Sequence, residues 1–578
     1  METTQVLLQR LKARNTKLIV ITGGVCSSLG KGVLVSSVGV LLQAAGYAIS
    51  AMKLDVYLNV DPGTMSPDVH GEVFVTADGF ETDLDLGHYE RNFDMTLSRQ
   101  SSVSAGQVYK EILDGERRGK YLGQNIQIIT QVVDVLKQRI LRAALERSVD
   151  FFLIELGGTV GEPELDVFLE AIRQLRSELG DGQFLHGHLC YVPTLAWSRD
   201  IKTKPTQLSM YALKQAGLTM DMLFLRIDKL IDQRSIHILS QFCRLPEAHI
   251  FQVLTHDPVY GLFADLDGQG LTHKIQSYFK IETPVQAQLG TWQAYVHRIK
   301  MSVQPLRIGF IVKYMSNSDP YLSVIDALKA AVYHAGRKLD LVIIAAEDLE
   351  QLAGSDRFEQ AISKLGSVAG VVVPGGFGKR GIEGKIVATR FAREHKIPFL
   401  GLCLGMQVMV IEAARSLLGL SQANSLEFDE LTPDPVVTLM AQQKEVTALG
   451  GTMRLGSYPC SLVPGTKAHQ AYGALQAVER HRHRFEVNNA YRERLSAVGV
   501  VFSGINNDLD LVEITEIVDH PFMAGSQFHA EFTSGPLKVN PLFKAFVQAA
   551  CQYKAQGEQF SRAVCIEDLQ PKQHGVFF

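Results

Sequence analysis

"HKIPFLGLCLGMQVMVIEAAR", residues 395–415, holds one cysteine, Cys403, between Leu402 and Leu404, with Gly401 and Gly405 outside them. Ile397, Pro398, Phe399 and Leu400 lead in as a buried strand would, and Met406, Val408, Met409 and Ile411 lead out at helical spacing. The pattern predicts a thiol at a strand-to-helix turn, with glycines where the backbone must fold tightly. It is the thiol counterpart of the G-x-S-x-G nucleophile elbow, and a helix N-terminus favours the thiolate. The competing reading is a buried structural cysteine, the usual fate of a free Cys.

A chain of 578 residues is long enough for two or more domains, each with its own core. Its formal net charge of −4 gives no electrostatic reason to expect nucleic acid or a membrane as partner. Cysteines 26, 190, 243, 403, 460, 551 and 565 are scattered without paired spacing, which fits a reducing compartment. "METTQVLLQRLKARNTK" has too short an apolar run for a signal peptide, and no stretch approaches the ~18 apolar residues of a membrane span. The expectation is a soluble, cytoplasmic protein. Strands are expected at "KLIVITGG", "YAISAMKLD", "VDFFLIELGG" and "HGHLCYVP", and again at "LRIGFIVKY", "LDLVIIAA", "VAGVVVPGG" and "IPFLGLC". With helical patterns between them, both regions read as α/β with a mainly parallel sheet. The expected division is an N-terminal extension (1–16) forming a surface helix, a first domain (17–285), a strandless linker (286–303), a second domain (304–556) and a loose polar tail (557–578).

A thiol needs a base. "SQFHAEF", residues 526–532, offers His529 and Glu531 at i and i+2, which share a face if the segment is a strand. The carboxylate would orient the imidazole, and the imidazole would take the thiol proton. A lone H-x-E is also a common charged pair at a strand end. Together with "VVVPGGFGKRG", these elements resemble the class I glutamine amidotransferases, which hydrolyse glutamine to glutamate and ammonia. The resemblance implies Gly376 at the oxyanion hole, and the substrate glutamine held by the backbone of Leu404, Gly405, Met406 and Gln407 and by Glu427 and Arg484. Arg480 and Arg482 of "ERHRHRF" read as a solvated basic face.

Ammonia needs an acceptor. "ITGGVCSSLGKG", residues 21–32, lies between a strand and a helical pattern, where backbone N–H groups cradle phosphates and Lys31 would reach the terminal ones. Five residues separate Gly24 from Gly30, and Gly32 stands where Walker A has Ser or Thr, so an ordinary Gly-rich turn competes with the phosphate loop. Lys53 and Asp55 end the next strand, Asp83 and Asp85 stand at i and i+2, and Glu155 ends "FFLIEL". Mg²⁺ on a nucleotide takes one or two such carboxylates.

"GGVCSSLGKG", "NVDPGTMSPDVHGEVFVTADGFETDLDLGHYER", "ERRGKYLG", "GGTVGE", "KTKPTQ" and "ERHRHRFEVNN" resemble the CTP synthase family over roughly residues 17–555. The resemblance implies a P-loop-type amidoligase domain joined to a class I glutaminase domain. It implies phosphorylation of O4 of UTP by ATP, then displacement of that phosphate by ammonia. By the same matching, Lys31 and Lys53 serve phosphoryl transfer, and Ser28, Leu29, Gly30, Lys31, Gly32 and Asp85 bind ATP. Asp85 and Glu155 hold Mg²⁺. Ser27, Glu162, Glu164, Lys202, Thr203, Lys204, Thr206 and Gln207 contact the pyrimidine nucleotide. The family is a homotetramer, and GTP activates its glutaminase.

Departures from the family pattern gather on the acceptor side. Leu208 follows "KTKPTQ" where His is usual, Arg199-Asp200 replaces Gly-Glu, and Ile238 stands where a nucleotide-binding Lys belongs. Thr130-Gln131 replaces Pro-His, and Glu162-Pro163-Glu164 replaces Asp-Ile-Glu. On the glutaminase side, Ala530 replaces Pro. Loss of a phosphate-binding cation predicts weaker UTP and CTP binding, with His237 or Arg234 as possible substitutes. Two further readings stand beside UTP amination: the same chemistry on another oxo-pyrimidine nucleotide, and a non-catalytic paralogue regulating a CTP synthase tetramer.

Overall fold

A computed structural model of the chain describes residues 2–194, 201–314, 319–351, 354–440, 443 and 451–567. Arg199 and Asp200 lie outside the described residues. The chain forms two units, one of Met1–Met65 with Thr76–His297, the other of Ser66–Val75 with Arg298–Phe578.

The first unit is built on seven strands: β1 (Lys17–Gly24), β2 (Ile49–Asp55), β3 (Ser102–Ser104), β4 (Phe151–Leu156), β5 (Phe184–Tyr191), β6 (Met222–Ile227) and β7 (Ile250–Leu254), in the order β3-β2-β4-β1-β5-β6-β7. Every pairing is parallel. All residues of β2 and β4 are buried, because such a sheet is covered on both faces. The helices that bear on function are α1 (Thr4–Arg14), α2 (Lys31–Ala44), α3 (Leu84–Phe93), α4 (Lys204–Gln215) and α5 (Gln233–Cys243). Helix α1 packs Leu7, Leu8 and Leu11 into the core of this unit and leaves its opposite face exposed. Thr130 and Gln131 fall in a π-helical turn, Ile128–Val132.

The division at His297/Arg298 falls within α6 (Gly290–Met301). The main sheet of the second unit has nine strands: β8 (Pro305–Val312), β9 (Lys338–Ala345), β10 (Gly370–Val373), β11 (Phe399–Leu402), β12 (Arg454–Leu462), β13 (Gln476–His483), β14 (Val500–Asn506), β15 (Leu511–Ile517) and β16 (Met523–Ser526). Their order is β9-β8-β10-β11-β16-β15-β14-β12-β13. The first five run parallel and the rest antiparallel, so this sheet is mixed. Its helices include α7 (Leu322–His334), α8 (Ile382–Glu394), α9 (Leu404–Ser416) and α10 (Pro541–Glu567). The backbone of α10 stays helical to Glu567, past the expected start of a loose tail. No sequence pattern announces that Ser66–Val75 joins this unit.

Candidate active sites

Parallel pairing of β11 with β16 sets Gly401 beside Gly525 and Leu402 beside Ser526, and Cys403 follows at once as the N-cap of α9. Its backbone is left-handed, with φ 51° and ψ −99°, which is strained for a residue with a side chain. The Cys403 amide donates to the Ser526 carbonyl at 2.6 Å, which holds the turn. The flanking glycines are forced by close approach: a Cβ on Gly405 would lie 2.1 Å from the Val373 carbonyl oxygen, and one on Gly401 2.6 Å from the Gly405 carbonyl carbon.

His529 and Glu531 do not share a strand face. Strand β16 stops at Ser526, where the Ser526 hydroxyl donates to the Phe528 carbonyl, and Ala530–Thr533 form a 3₁₀ turn. The turn still brings His529 Nδ1 to 2.7 Å from Glu531 Oε1. Burial opposes charge on the imidazole, but the Glu531 carboxylate and Cys403 outweigh it and push His529 up to about 10. The site therefore favours a charged His529 ring beside Cys403.

The loop Pro374–Gly378 is held by two lysines that sequence reasoning missed. Fully buried Lys385 on α8 donates to the Pro374 carbonyl at 2.9 Å. Lys313, just after β8, donates to the carbonyls of Phe377 and Gly378 at 2.6 and 2.8 Å. Burial, with a smaller contribution from Lys313, pushes Lys385 down to about 7, and burial pushes Lys313 down to about 8. Glu427 accepts the Gly378 amide at 2.7 Å. A Cβ on Gly375 would lie 3.1 Å from His529 Cε1 and 3.7 Å from Cys403 Cβ, which places this loop against the reacting groups. Gly376 lines the same cavity as Cys403 and His529.

The other expected glutamine contacts are accounted for locally. Met406 and Gln407 amides donate to the Cys403 carbonyl at 3.1 and 3.2 Å, and the buried Gln407 side chain donates to the Phe485 carbonyl at 3.0 Å. Leu404 and Gly405 head α9. Arg484 donates to Gln443 Oε1 at 2.8 Å and Thr452 Oγ1 at 2.7 Å. Arg480 corrects the expectation of a solvated basic face: it is 4% exposed, because Phe74 and Val75 cover its side of β13. Arg482 lies over the Phe377 ring at 5.0 Å.

In the first unit, register sets Lys53 of β2 beside Glu155 of β4, and Lys53 Nζ meets Glu155 Oε1 at 2.8 Å. Lys53 also pairs with Asp85, and the Tyr89 hydroxyl donates to Glu155. Burial opposes every charge here, yet Asp85 is lowered, chiefly by Lys53, whereas burial leaves Glu155 raised. Asp83 caps α3, and its side chain accepts the Asp85 amide. Lys31 opens α2 behind the left-handed Gly30, and its Nζ donates to the Gly158 carbonyl at 2.7 Å. Ser27 and Ser28 are exposed, Leu29 is buried, and Ser28 is left-handed at φ 58°. A Cβ on Gly32 would lie 2.5 Å from Asp85 Oδ1 and 3.4 Å from Glu155 Oε2, so both carboxylates converge on the start of α2. Two carboxylates converging on a helix N-terminus are a donor set that fits a Mg²⁺ ion whose other ligands are phosphate oxygens.

On the acceptor side, Thr203 caps α4, Lys202 and Lys204 are exposed, and Gln207 donates to Thr203 Oγ1 at 3.3 Å. Thr206 is buried, its hydroxyl donating to the Tyr191 carbonyl at 3.1 Å, so its side chain serves the fold. Glu162 and Glu164 are exposed, and Glu162 accepts the Thr159 amide at 2.9 Å. Ile238 on α5 is 39% exposed, and neighbouring His237 pairs with Glu247 at 2.8 Å.

Comparison with known proteins matches residues 17–281 to the CTP synthase N-terminus and residues 317–549 to the class I glutamine amidotransferases. The CTP synthase of Chloroflexus aurantiacus is 48% identical over 544 residues, covering 94% of this chain and 98% of its own. This chain belongs to the CTP synthase family. The CTP synthase of Moorella thermoacetica is 45% identical over 541 residues, covering 94% of this chain and 99% of its own. Among solved structures, the glutaminase domain of Trypanosoma brucei CTPS with bound acivicin matches 43% of this chain and 94% of its own at 35% identity, with a TM-score of 0.40. As in other members of the CTP synthase family, one chain here carries both an amidoligase and a glutaminase unit.

Proposed function

We propose that this chain makes CTP from UTP, using ATP and ammonia from glutamine, with its two units dividing the work. Cys403 Sγ attacks the carboxamide carbon of glutamine while the Leu404 and Gly405 amides and the Gly376 backbone receive the developing oxyanion. His529, oriented by Glu531 and carrying the proton given up by the Cys403 thiol, hands that proton to the departing ammonia, then takes one from the water that releases glutamate. Arg484 and Glu427 hold the two ends of the substrate glutamine.

In the amidoligase unit, the Gly-rich loop and Lys31 bind the ATP phosphates, and Lys53 stabilises the phosphoryl group in flight to O4 of UTP. Asp85 and Glu155 would hold Mg²⁺, which when bound neutralises phosphate charge. A carbonyl oxygen leaves poorly; its phosphate ester leaves well, and ammonia replaces it. Ser27, Lys202, Thr203, Lys204, Gln207, Glu162 and Glu164 take the pyrimidine nucleotide. GTP activates the glutaminase, the working assembly is a homotetramer, and the enzyme acts in the cytoplasm.

The observation that most supports this reading is the His529–Glu531 pair at 2.7 Å beside Cys403, in a chain whose other unit sets Lys53 against Asp85 and Glu155. The test is an acceptor screen with purified protein, ATP, Mg²⁺ and glutamine, products read by mass for replacement of oxygen by NH. UTP should be converted in preference to other oxo-pyrimidine nucleotides. Preferential conversion of another nucleotide, or of none, overturns the assignment.

A further inference from the structure

Ser66–Val75 is flanked in sequence by residues of the first unit on both sides and lies outside the glutamine amidotransferase match at 317–549, yet it belongs to the second unit. Two separate routes run from it to the base His529. The first is aromatic: Phe74, with no exposed surface, meets Phe532 edge-on at 5.1 Å, and Phe532 stacks on the His529 ring at 4.9 Å and 16°. The second runs through Arg480. Its guanidinium lies over the Phe74 ring at 5.3 Å and donates to the Val75 carbonyl at 3.0 Å, while its own carbonyl accepts the His529 amide at 2.8 Å. Glu72, two residues earlier, accepts the Ser323 amide in the first turn of α7 at 3.0 Å, which ties the segment down beside these contacts.

We propose that Phe74 and Arg480 are positioning residues for glutamine hydrolysis: together they fix the ring plane and the main chain of His529, so that the glutaminase depends on ten residues outside its own matched region. The physical need is specific. Glu531 and Cys403 hold the imidazole through bonds that lie in its plane, which leaves the tilt of that plane free; a stacked neighbour removes that freedom. A shift of about 1 Å in a reacting group costs on the order of a hundredfold in rate. Neither residue touches the reacting atoms, so the loss should fall on turnover and leave substrate binding intact.

This inference rests on the glutaminase reading above. The experiment measures glutamine hydrolysis and ammonia-dependent CTP formation by the full chain for wild type, Phe74→Ala, Phe74→Leu, Phe532→Leu and the Phe74→Ala/Phe532→Leu double variant. Phe74→Ala should lower kcat for hydrolysis at least about tenfold with KM changed less than about threefold, and ammonia-dependent synthesis should persist. The double variant should be no worse than the poorer single one, since both act along one route. Wild-type kcat in Phe74→Ala, a loss confined to KM, or multiplying effects in the double variant would overturn the proposal. If Phe74→Ala loses both reactions together, Phe74→Leu decides: a loss confined to hydrolysis supports the proposal, and parallel loss or full activity overturns it. A wild-type chain that hydrolyses no glutamine overturns the glutaminase reading and this one with it; an active wild type with an equally active Phe74→Ala overturns this one alone.

Discussion

The two centres differ in what their residues are bonded to. Around Cys403 the groups proposed to react are held by other protein atoms: Glu531 orients His529, the Cys403 amide is bonded to Ser526, and Lys385, Lys313 and Glu427 pin the loop opposite. Around Lys53 the charged groups are satisfied by one another, Lys53 by Asp85 and Glu155, and Lys31 by the Gly158 carbonyl. The difference follows from the chemistry. Covalent catalysis needs protein atoms placed against protein atoms, so the fold must preassemble them. Phosphoryl transfer relies on charge rather than on a covalent protein partner, so the fold need only gather its charged groups against one another.

The largest break in this comparison should come from Lys31→Ala. CTP formation should fall by about 10³ or more from either nitrogen source, because both need the phosphorylated acceptor, while glutamine hydrolysis survives. Steady-state rates with glutamine and with ammonium salt check this; full ligation would make the Gly-rich loop structural.

Glu531→Gln sharpens the glutaminase half. Hydrolysis should fall on the order of a hundredfold or more. With the imidazolium as the proposed acid for departing ammonia, wild-type kcat/KM should decline at the alkaline end as pH rises through about 10, where His529 loses its proton. Without the carboxylate the imidazolium is less favoured, and the limb should move toward neutral pH. An unmoved limb in a pH–rate profile contradicts the assignment of charge.

Lys385→Met tests preassembly itself. It leaves the buried Pro374 carbonyl without its donor, and kcat for hydrolysis should drop about tenfold with little change in KM. The smallest effect concerns the acceptor side. Ile238→Lys restores a cation on a half-exposed helix face, which should tighten UTP and CTP by a few-fold, about 1 kcal/mol at most. Unchanged titrations of both nucleotides would show that the wild-type pocket already has the charge it needs.

What could be read from the sequence was what local pattern encodes. Apolar runs with glycine at or next to their ends announce β1 and β11, and the elbow at Cys403 and the loop before Lys31 follow from them. The Leu7, Leu8, Leu11 spacing of α1 encodes one packed helix face, but not what that face packs against. "SQFHAEF" alternates like a strand, yet loses its ladder after Ser526 and coils into a 3₁₀ turn; tertiary pairing decides this, not propensity. Lys385 and Arg480 are cations in helix and strand positions that read as surface, and only the assembled fold shows a carbonyl waiting for each. The attachment of Phe74 and Val75 to Arg480, 405 residues beyond Val75, leaves no local trace.

The division of labour is tested most directly by CTP formation in Cys403→Ala, measured side by side with glutamine and with ammonium salt under saturating ATP, Mg²⁺ and UTP. The account predicts that synthesis from glutamine vanishes while synthesis from ammonia continues at the wild-type rate. A folded variant that loses both reactions, or keeps synthesis from glutamine, would contradict it.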